Sequence, residues 1–120
     1  MKKRPEERIH RMVVQYLQLM LPKPYIFWST PNQRGTRKAW EVSLLKGLGV
    51  RAGIPDLFVA GPGKVIALEV KAEKGKLSPV QKSTIGALAE AGIPTIVVRS
   101  IEEAEEALKA LGVPLKGRAM

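Results

Sequence analysis

Two apolar runs, Leu57 to Ala60 and Val65 to Lys71, stand on either side of Gly61-Pro62-Gly63. Gly and Pro packed together in this way mark a chain reversal. The two runs are therefore read as neighbouring antiparallel strands of one β-hairpin. Downstream, Ser78-Pro79-Val80-Gln81 has the composition of a helix start. Serine serves as N-cap, proline at N1 has its φ preset, and glutamine at N3 can close a capping box. That helix is expected to reach about Ala91, with Ile85, Leu88 and Ala89 on its apolar face, and Pro94 to Val98 follows as an apolar strand buried on both sides. A hairpin followed by strand, helix and strand predicts an α/β domain with a mixed sheet flanked by helices.

The remaining elements fall around this centre. Pro5 suits a first helical turn, and Ile9, Val13, Tyr16, Leu17 and Met20 recur at helical spacing until Pro22 and Pro24 end the run. Tyr25 to Trp28 reads as a short strand, Ser29 to Lys38 as a polar loop, and Ala39 to Lys46 as a modest helix ending at Gly47 and Gly49. Ala72 to Leu77 is a lysine-rich loop, and Ser100 to Glu103 is a second capping box that opens a last helix ending near Leu111. The predicted order is α, β, α, β, β, α, β, α, in a single domain over residues 1–113 with a loose tail over 114–120.

Composition narrows the chemistry. The 120 residues include no cysteine and one histidine, His10. Disulfides, thiolate zinc sites and cysteine nucleophiles are excluded, and any histidine-based mechanism rests on His10 alone. No apolar run approaches the roughly 20 residues of a membrane-spanning helix, and the start lacks a signal-peptide core, so a cytoplasmic location is expected. The net charge is +9, and it is uneven: residues 1–60 hold 11 basic and 4 acidic side chains, residues 61–120 hold 9 and 7. Such a basic half is the electrostatic footprint of a protein that meets a polyanion.

Within the hairpin, Asp56 is the only aspartate of the chain and Glu69 the only acid of its strand. Period-two alternation sets Glu69 and Lys71 on one face, and Ile66, Leu68 and Val70 on the other, toward the core. If Ala60 pairs near Val65, Asp56 lies opposite Glu69, where directly opposed Cβ atoms are ~4.5–5.5 Å apart. Two carboxylates that close repel, and a cation relieves them; oxygen-only donors suit Mg²⁺ or Mn²⁺. Lys71 then supplies a point charge beside a phosphate or a bound water. The same Glu-x-Lys would also occur on the ordinary polar face of an exposed strand.

The run Arg51-Ala52-Gly53-Ile54-Pro55-Asp56-Leu57, with Glu69-Val70-Lys71 and Ser78-Pro79-Val80-Gln81, resembles the VRR-NUC domain of the PD-(D/E)xK nuclease superfamily, in the minimal stand-alone form of phages and bacteria. The resemblance extends from the first helix to Val98. It implies a restriction-endonuclease-like fold, divalent-metal-dependent hydrolysis of DNA phosphodiesters, and a preference for branched DNA such as four-way (Holliday) junctions. It also implies a homodimer, with an interface on the first helix or on the Trp40 segment. By the same resemblance Asp56 and Glu69 are metal-binding carboxylates and Lys71 the catalytic lysine. Gln81 matches the family's glutamine, and Glu6 or Glu7 matches an acid of the first helix, Glu6 being preferred because it shares a face with Val13 and Leu17. The Val70 carbonyl joins Asp56, Glu69 and Glu6 as a candidate ligand, while His10 is read as a helix-surface residue.

The DNA surface is then assigned to Arg34, Arg37, Lys38 and Arg51, with Lys74 and Lys76 just past the site. Phosphate contacts of this kind give salt-sensitive affinity and carry no sequence information. Trp28 and Trp40 could stack on unpaired bases, against the alternative of core or dimer packing. Two further functions stay open from the sequence: a non-catalytic DNA-binding module with a relic metal site, and a sequence-specific restriction-type enzyme.

Overall fold

The Gly61-Pro62-Gly63 reversal joins the two central strands of the sheet in the structure, a computed structural model that describes residues 4–30 and 38–117. Helix α1 (Arg4–Met20) leads to strand β1 (Ile26–Ser29) and helix α2 (Ala39–Gly47). The hairpin is β2 (Leu57–Gly61) and β3 (Lys64–Val70), followed by α3 (Pro79–Glu90), β4 (Thr95–Val98) and α4 (Ile101–Ala110). The element order is the predicted one, with ends shifted by about a residue.

The hairpin has the expected register, Ala60 against Val65 and Leu57 against Leu68. Strand β1 adds antiparallel to β2, from Ile26 against Ala60 to Ser29 against Leu57. Strand β4 returns through α3 and adds parallel to β3, from Ala67 against Thr95 to Val70 against Val98. The result is a mixed four-stranded sheet in the order β1-β2-β3-β4.

Alternation along the strands sends Leu57, Val59, Ile66, Leu68, Val70 and Val98 to one face. There they meet Val13 and Leu17 of α1 and Ala104, Ala107 and Leu108 of α4. Each fully buried Leu or Val contributes roughly 1.5–3 kcal/mol, so this layer carries most of the hydrophobic stabilisation. At the hairpin end a Cβ on Gly61 would overlap the Tyr25 ring. Only glycine lets the aromatic ring lie against the turn.

Several expectations need correction. Strand β4 is not buried on both faces: only Val98 is fully buried, because β4 forms a sheet edge. The buried residue of α3 is Thr84, while Ile85 and Leu88 are half-buried and Ala89 is exposed. This helix packs by Val80 and Thr84 against the Ala52-Gly53 loop and contributes no residue to the apolar layer. The second capping box is displaced by one residue. Ser100 Oγ accepts the Glu103 N–H (3.1 Å), but the Glu103 carboxylate accepts from the N–H of Arg99 (2.8 Å), not of Ser100. The segment expected to be loose is tied down as far as Lys116, where its N–H donates to Met20 O (2.8 Å) and Leu115 packs on the core.

Neither tryptophan belongs to the core. Trp28 stacks on Phe58 with ring centroids 5.5 Å apart and stays 42% exposed, and Trp40 is 63% exposed.

Leu17 is fully buried between α1 and the sheet. Leu17→Ala should therefore cost about 2–5 kcal/mol. The urea midpoint should fall with the slope unchanged; a midpoint equal to wild type would show that α1 does not close this core.

Candidate active site

The β2–β3 ladder ends at Leu57 against Leu68, and the next residue outward is Asp56. Its carboxylate takes over the role of a ladder carbonyl: Oδ2 accepts the Val70 N–H at 2.8 Å. The Asp56 backbone carbonyl is held in turn by the Thr30 N–H (2.9 Å), with Thr30 Oγ1 (3.3 Å) and Ser29 Oγ (3.4 Å) beside it. Asp56 is 1% exposed, so its position is set on all sides. The Lys71 N–H donates to Val98 O on the β4 side. Strand geometry then turns the N–H and C=O of Val70 the other way, toward Asp56.

Glu69 and Lys71 share the sheet face opposite the apolar core, as alternation requires. They are not solvated there: Glu69 is 1% and Lys71 8% exposed. An ordinary exposed polar face is thereby excluded. Burying charge in this way is costly unless each group is paired and hydrogen-bonded. Lys71 Nζ lies 3.6 Å from Glu69 Oε2 and donates to Gln81 Oε1 at 2.9 Å. Gln81 Nε2 donates to Glu69 Oε2 at 2.9 Å. The same Gln81 Oε1 accepts the Ser78 N–H (2.9 Å), and the Gln81 N–H donates to Ser78 Oγ (3.1 Å). The helix cap and the polar cluster are therefore one structure.

The surroundings hold these pieces in register. Gly53 has φ +78°, and a Cβ there would stand 2.6 Å from Val80 O. With Thr84 Oγ1 donating to Ala52 O (2.8 Å), the loop leading to Asp56 is locked onto the first turns of α3. On the other side the Arg99 guanidinium donates to Ala72 O (2.8 Å) and Gly75 O (2.9 Å), which fixes the loop after Lys71. Arg99 is a supporting residue that inspection of the sequence missed. Nothing short of the fold places it beside that loop.

Asp56 and Val70 form one side of a cleft of ≈ 310 Å³. Helix α1 contributes Glu6, Glu7, His10 and Arg11, and Ser29 and Thr30 continue the wall. Both candidate acids of the first helix therefore face the cleft. His10 does more than decorate the helix surface: its Nε2 lies 2.8 Å from Ser29 Oγ and ties α1 to β1. Arg11 is a cleft residue that the sequence reading passed over. Glu69, Lys71 and Gln81 do not line the cleft wall; they adjoin it through Val70 and Asp56. Lys38, Arg51, Lys74 and Lys76 are exposed outside the cleft, and Arg34 and Arg37 lie outside the described residues.

Among the described residues no group of three or more His, Asp or Glu side chains gathers as a ready-made metal cage. The donors at hand are the Asp56 and Glu69 carboxylates and the Val70 carbonyl. This all-oxygen, ligand-poor set fits Mg²⁺, which keeps several waters and takes one or two carboxylates, and Mn²⁺, which shares that preference.

The fold is that of a small α/β nuclease domain. The family model of the VRR-NUC domain matches residues 2–102, and the chain belongs to this family of nucleases, whose activity is directed at DNA. A solved structure described as a VRR_NUC domain protein superposes with a TM-score of 0.59 at 22% identity, covering 88% of this chain and 86% of that one. That likeness is one of fold. No curated protein gives a significant match.

Replacing Gln81 by Leu removes a cap, a partner of Lys71 and a donor to Glu69 together. Because buried groups left unsatisfied cost about 1–3 kcal/mol each, Gln81→Leu should destabilise clearly more than Ser78→Ala, a simple cap loss of about 1 kcal/mol. Equal urea midpoints for the two variants would mean that Gln81 serves the cap alone.

Proposed function

We propose that this domain is a divalent-metal-dependent endonuclease that cuts branched DNA, four-way junctions in particular, as a homodimer. The observation that carries the catalytic part is the gathering of Asp56, Glu69, Lys71 and Gln81 at one end of the hairpin, beside a cleft open to a polymer. A bound Mg²⁺ or Mn²⁺ ion would neutralise phosphate charge and acidify a water. Asp56, Glu69 and the Val70 carbonyl are the residues to hold it, with Glu6 or Glu7 reaching from α1.

The chain's own groups do the rest. The Val70 N–H holds Asp56 Oδ2 and so fixes the orientation of that carboxylate. Gln81 fixes Glu69 Oε2 and Lys71 Nζ at once, so the lysine is aimed before substrate arrives. Lys71 positions the attacking water and offsets charge on the phosphate. In the reaction the water oxygen bonds to phosphorus as the bond to the leaving sugar oxygen breaks. One proton leaves the water and one reaches the departing oxygen. The bridging of Glu69 Oε2 and Lys71 Nζ by one Gln81 amide supports this reading over a relic site. Lys38, Arg51, Lys74 and Lys76, with Arg34 and Arg37, serve as contacts to the DNA backbone.

Of the two surfaces suggested for the dimer, α2 is the better supported. The apolar side of α1 is spent on the core, whereas α2 buries no residue and leaves Trp40, Val42 and Leu44 exposed, followed by Leu48 at its C-cap, 71% exposed. A helix so apolar and so uncovered marks an interaction site. Paired cuts across a branch point follow from two sites related by a twofold axis.

Labelled four-way junction, flap, single-stranded and linear duplex DNA incubated with Mg²⁺, Mn²⁺ or EDTA tests the activity. The junction should be cut only with metal, and Asp56→Asn and Lys71→Ala should each lower the rate at least 100-fold while junction binding persists. Undiminished metal-dependent cutting by both variants would contradict the assignment, and cutting of the linear duplex alone would remove the branched-DNA preference. Leu48→Asp with Trp40→Ser should give a monomer by light scattering; an unchanged dimeric mass would place the interface elsewhere.

A further inference from the structure

The cleft poses an electrostatic problem. Its walls carry three carboxylates, Glu6, Glu7 and Asp56, and its intended substrate is a polyanion. Carboxylates at the approach to a site repel phosphate at close range. Lys71, whose place is at the scissile phosphate, does not reach the approach: it is 8% exposed and held by Gln81 and Glu69. Among the described residues one basic side chain lines the cleft, Arg11.

Arg11 lies one helical turn beyond Glu7, on the cleft side of α1, and is exposed. The pairing of Glu7 with Arg11 at i,i+4 would be favourable in an isolated helix. In this structure Arg11 makes no hydrogen bond or ion pair with any described residue, whereas the two ion pairs seen among them join Lys71 to Glu69 and Lys109 to Glu105. The helix sets Arg11 in the cleft wall, and no described residue consumes its guanidinium. A planar fork of N–H donors matches two phosphate oxygens in a way that an ammonium does not.

We infer that Arg11 is the phosphate-binding residue of the cleft, engaging a backbone phosphate of the DNA strand that enters past α1. This rests on the nuclease reading for the identity of the substrate, but not for the contact itself. Helix α1 thereby becomes part of the DNA surface, which the sequence alone assigned to Arg34, Arg37, Lys38, Arg51, Lys74 and Lys76. Arg11 binds and positions the strand; it takes no part in moving protons.

The contact has a signature independent of catalysis. Each phosphate neutralised by a cationic side chain steepens the fall of log K with log salt concentration by about 0.9 on duplex DNA. Binding of a labelled four-way junction with duplex arms is measured in EDTA across a salt series, for wild type, Arg11→Gln, Arg11→Lys and Lys109→Gln. Arg11→Gln should make the slope shallower by about 0.9 and weaken binding at low salt. Arg11→Lys should restore the slope, because charge is retained, and Lys109→Gln, on α4 and outside the cleft, should leave it at the wild-type value.

A wild-type slope for Arg11→Gln would overturn the inference, as would an equal loss in Lys109→Gln, which would reveal a net-charge effect alone. Circular dichroism melts of the same variants separate contact from folding: loss of slope with an unaltered melting temperature supports the contact, and a lowered melting temperature that Arg11→Lys does not restore counts against it. Metal-dependent cutting by wild type, assayed separately, decides the nuclease reading. Cutting with an unchanged Arg11→Gln slope removes Arg11 and leaves the nuclease; a shallower slope without cutting does the reverse.

Discussion

Two charged side chains buried side by side on a sheet surface need hydrogen-bond partners supplied by the protein, and the placement of Glu69 and Lys71 depends on meeting that need. An uncompensated buried ion costs several kcal/mol, a large part of the ~5–15 kcal/mol by which a domain is stable at all. One side chain meets much of the requirement. Gln81 accepts from Lys71 and donates to Glu69, and it can do so because the Ser78-Pro79 start fixes the first turn of α3 over the end of β3. Helix nucleation, sheet register and site geometry are thus coupled through one amide.

The coupling extends outward. Gly53 and Thr84 lock the loop that leads to Asp56 onto the same helix, and Arg99 clasps the loop that leaves Lys71. Asp56 in turn closes the open end of the hairpin by accepting the Val70 N–H. The two acids of the hairpin therefore reach the same end of the ladder by different routes, Glu69 by alternation along a strand and Asp56 by replacing a backbone acceptor. Preorganisation of this kind leaves little reorganisation for the moment of reaction. The apolar layer between the sheet, α1 and α4 stays on the opposite face and is free to be optimised for packing.

Much of this was legible before the structure. Gly61-Pro62-Gly63 set the hairpin register, and alternation separated Glu69 and Lys71 from Leu68 and Val70. Ser78 and Gln81 announced the helix start. What the sequence could not carry were distances between segments remote in the chain. Alternation tells which face Glu69 occupies, but its burial depends on what covers that face. The same limit explains the misjudged β4, whose exposure follows from its edge position, and the misplaced box at Ser100, where Arg99 supplies the N–H. It explains why a preference for Glu6 over Glu7 by helix face alone was too narrow, since both line the cleft. Arg11 and Arg99 were invisible for the same reason: each is one arginine among many until the fold sets it beside a cleft or a loop.

The central claim is that Asp56, Glu69 and the Val70 carbonyl form one oxygen-donor site. Anomalous diffraction at the manganese edge, from crystals soaked in Mn²⁺, tests it most directly. An anomalous peak ligated by both carboxylates and that carbonyl is expected, and none in Asp56→Asn crystals. A peak bound only by Glu6 and Glu7, or no peak beside Asp56 and Glu69 at saturating Mn²⁺, would contradict it.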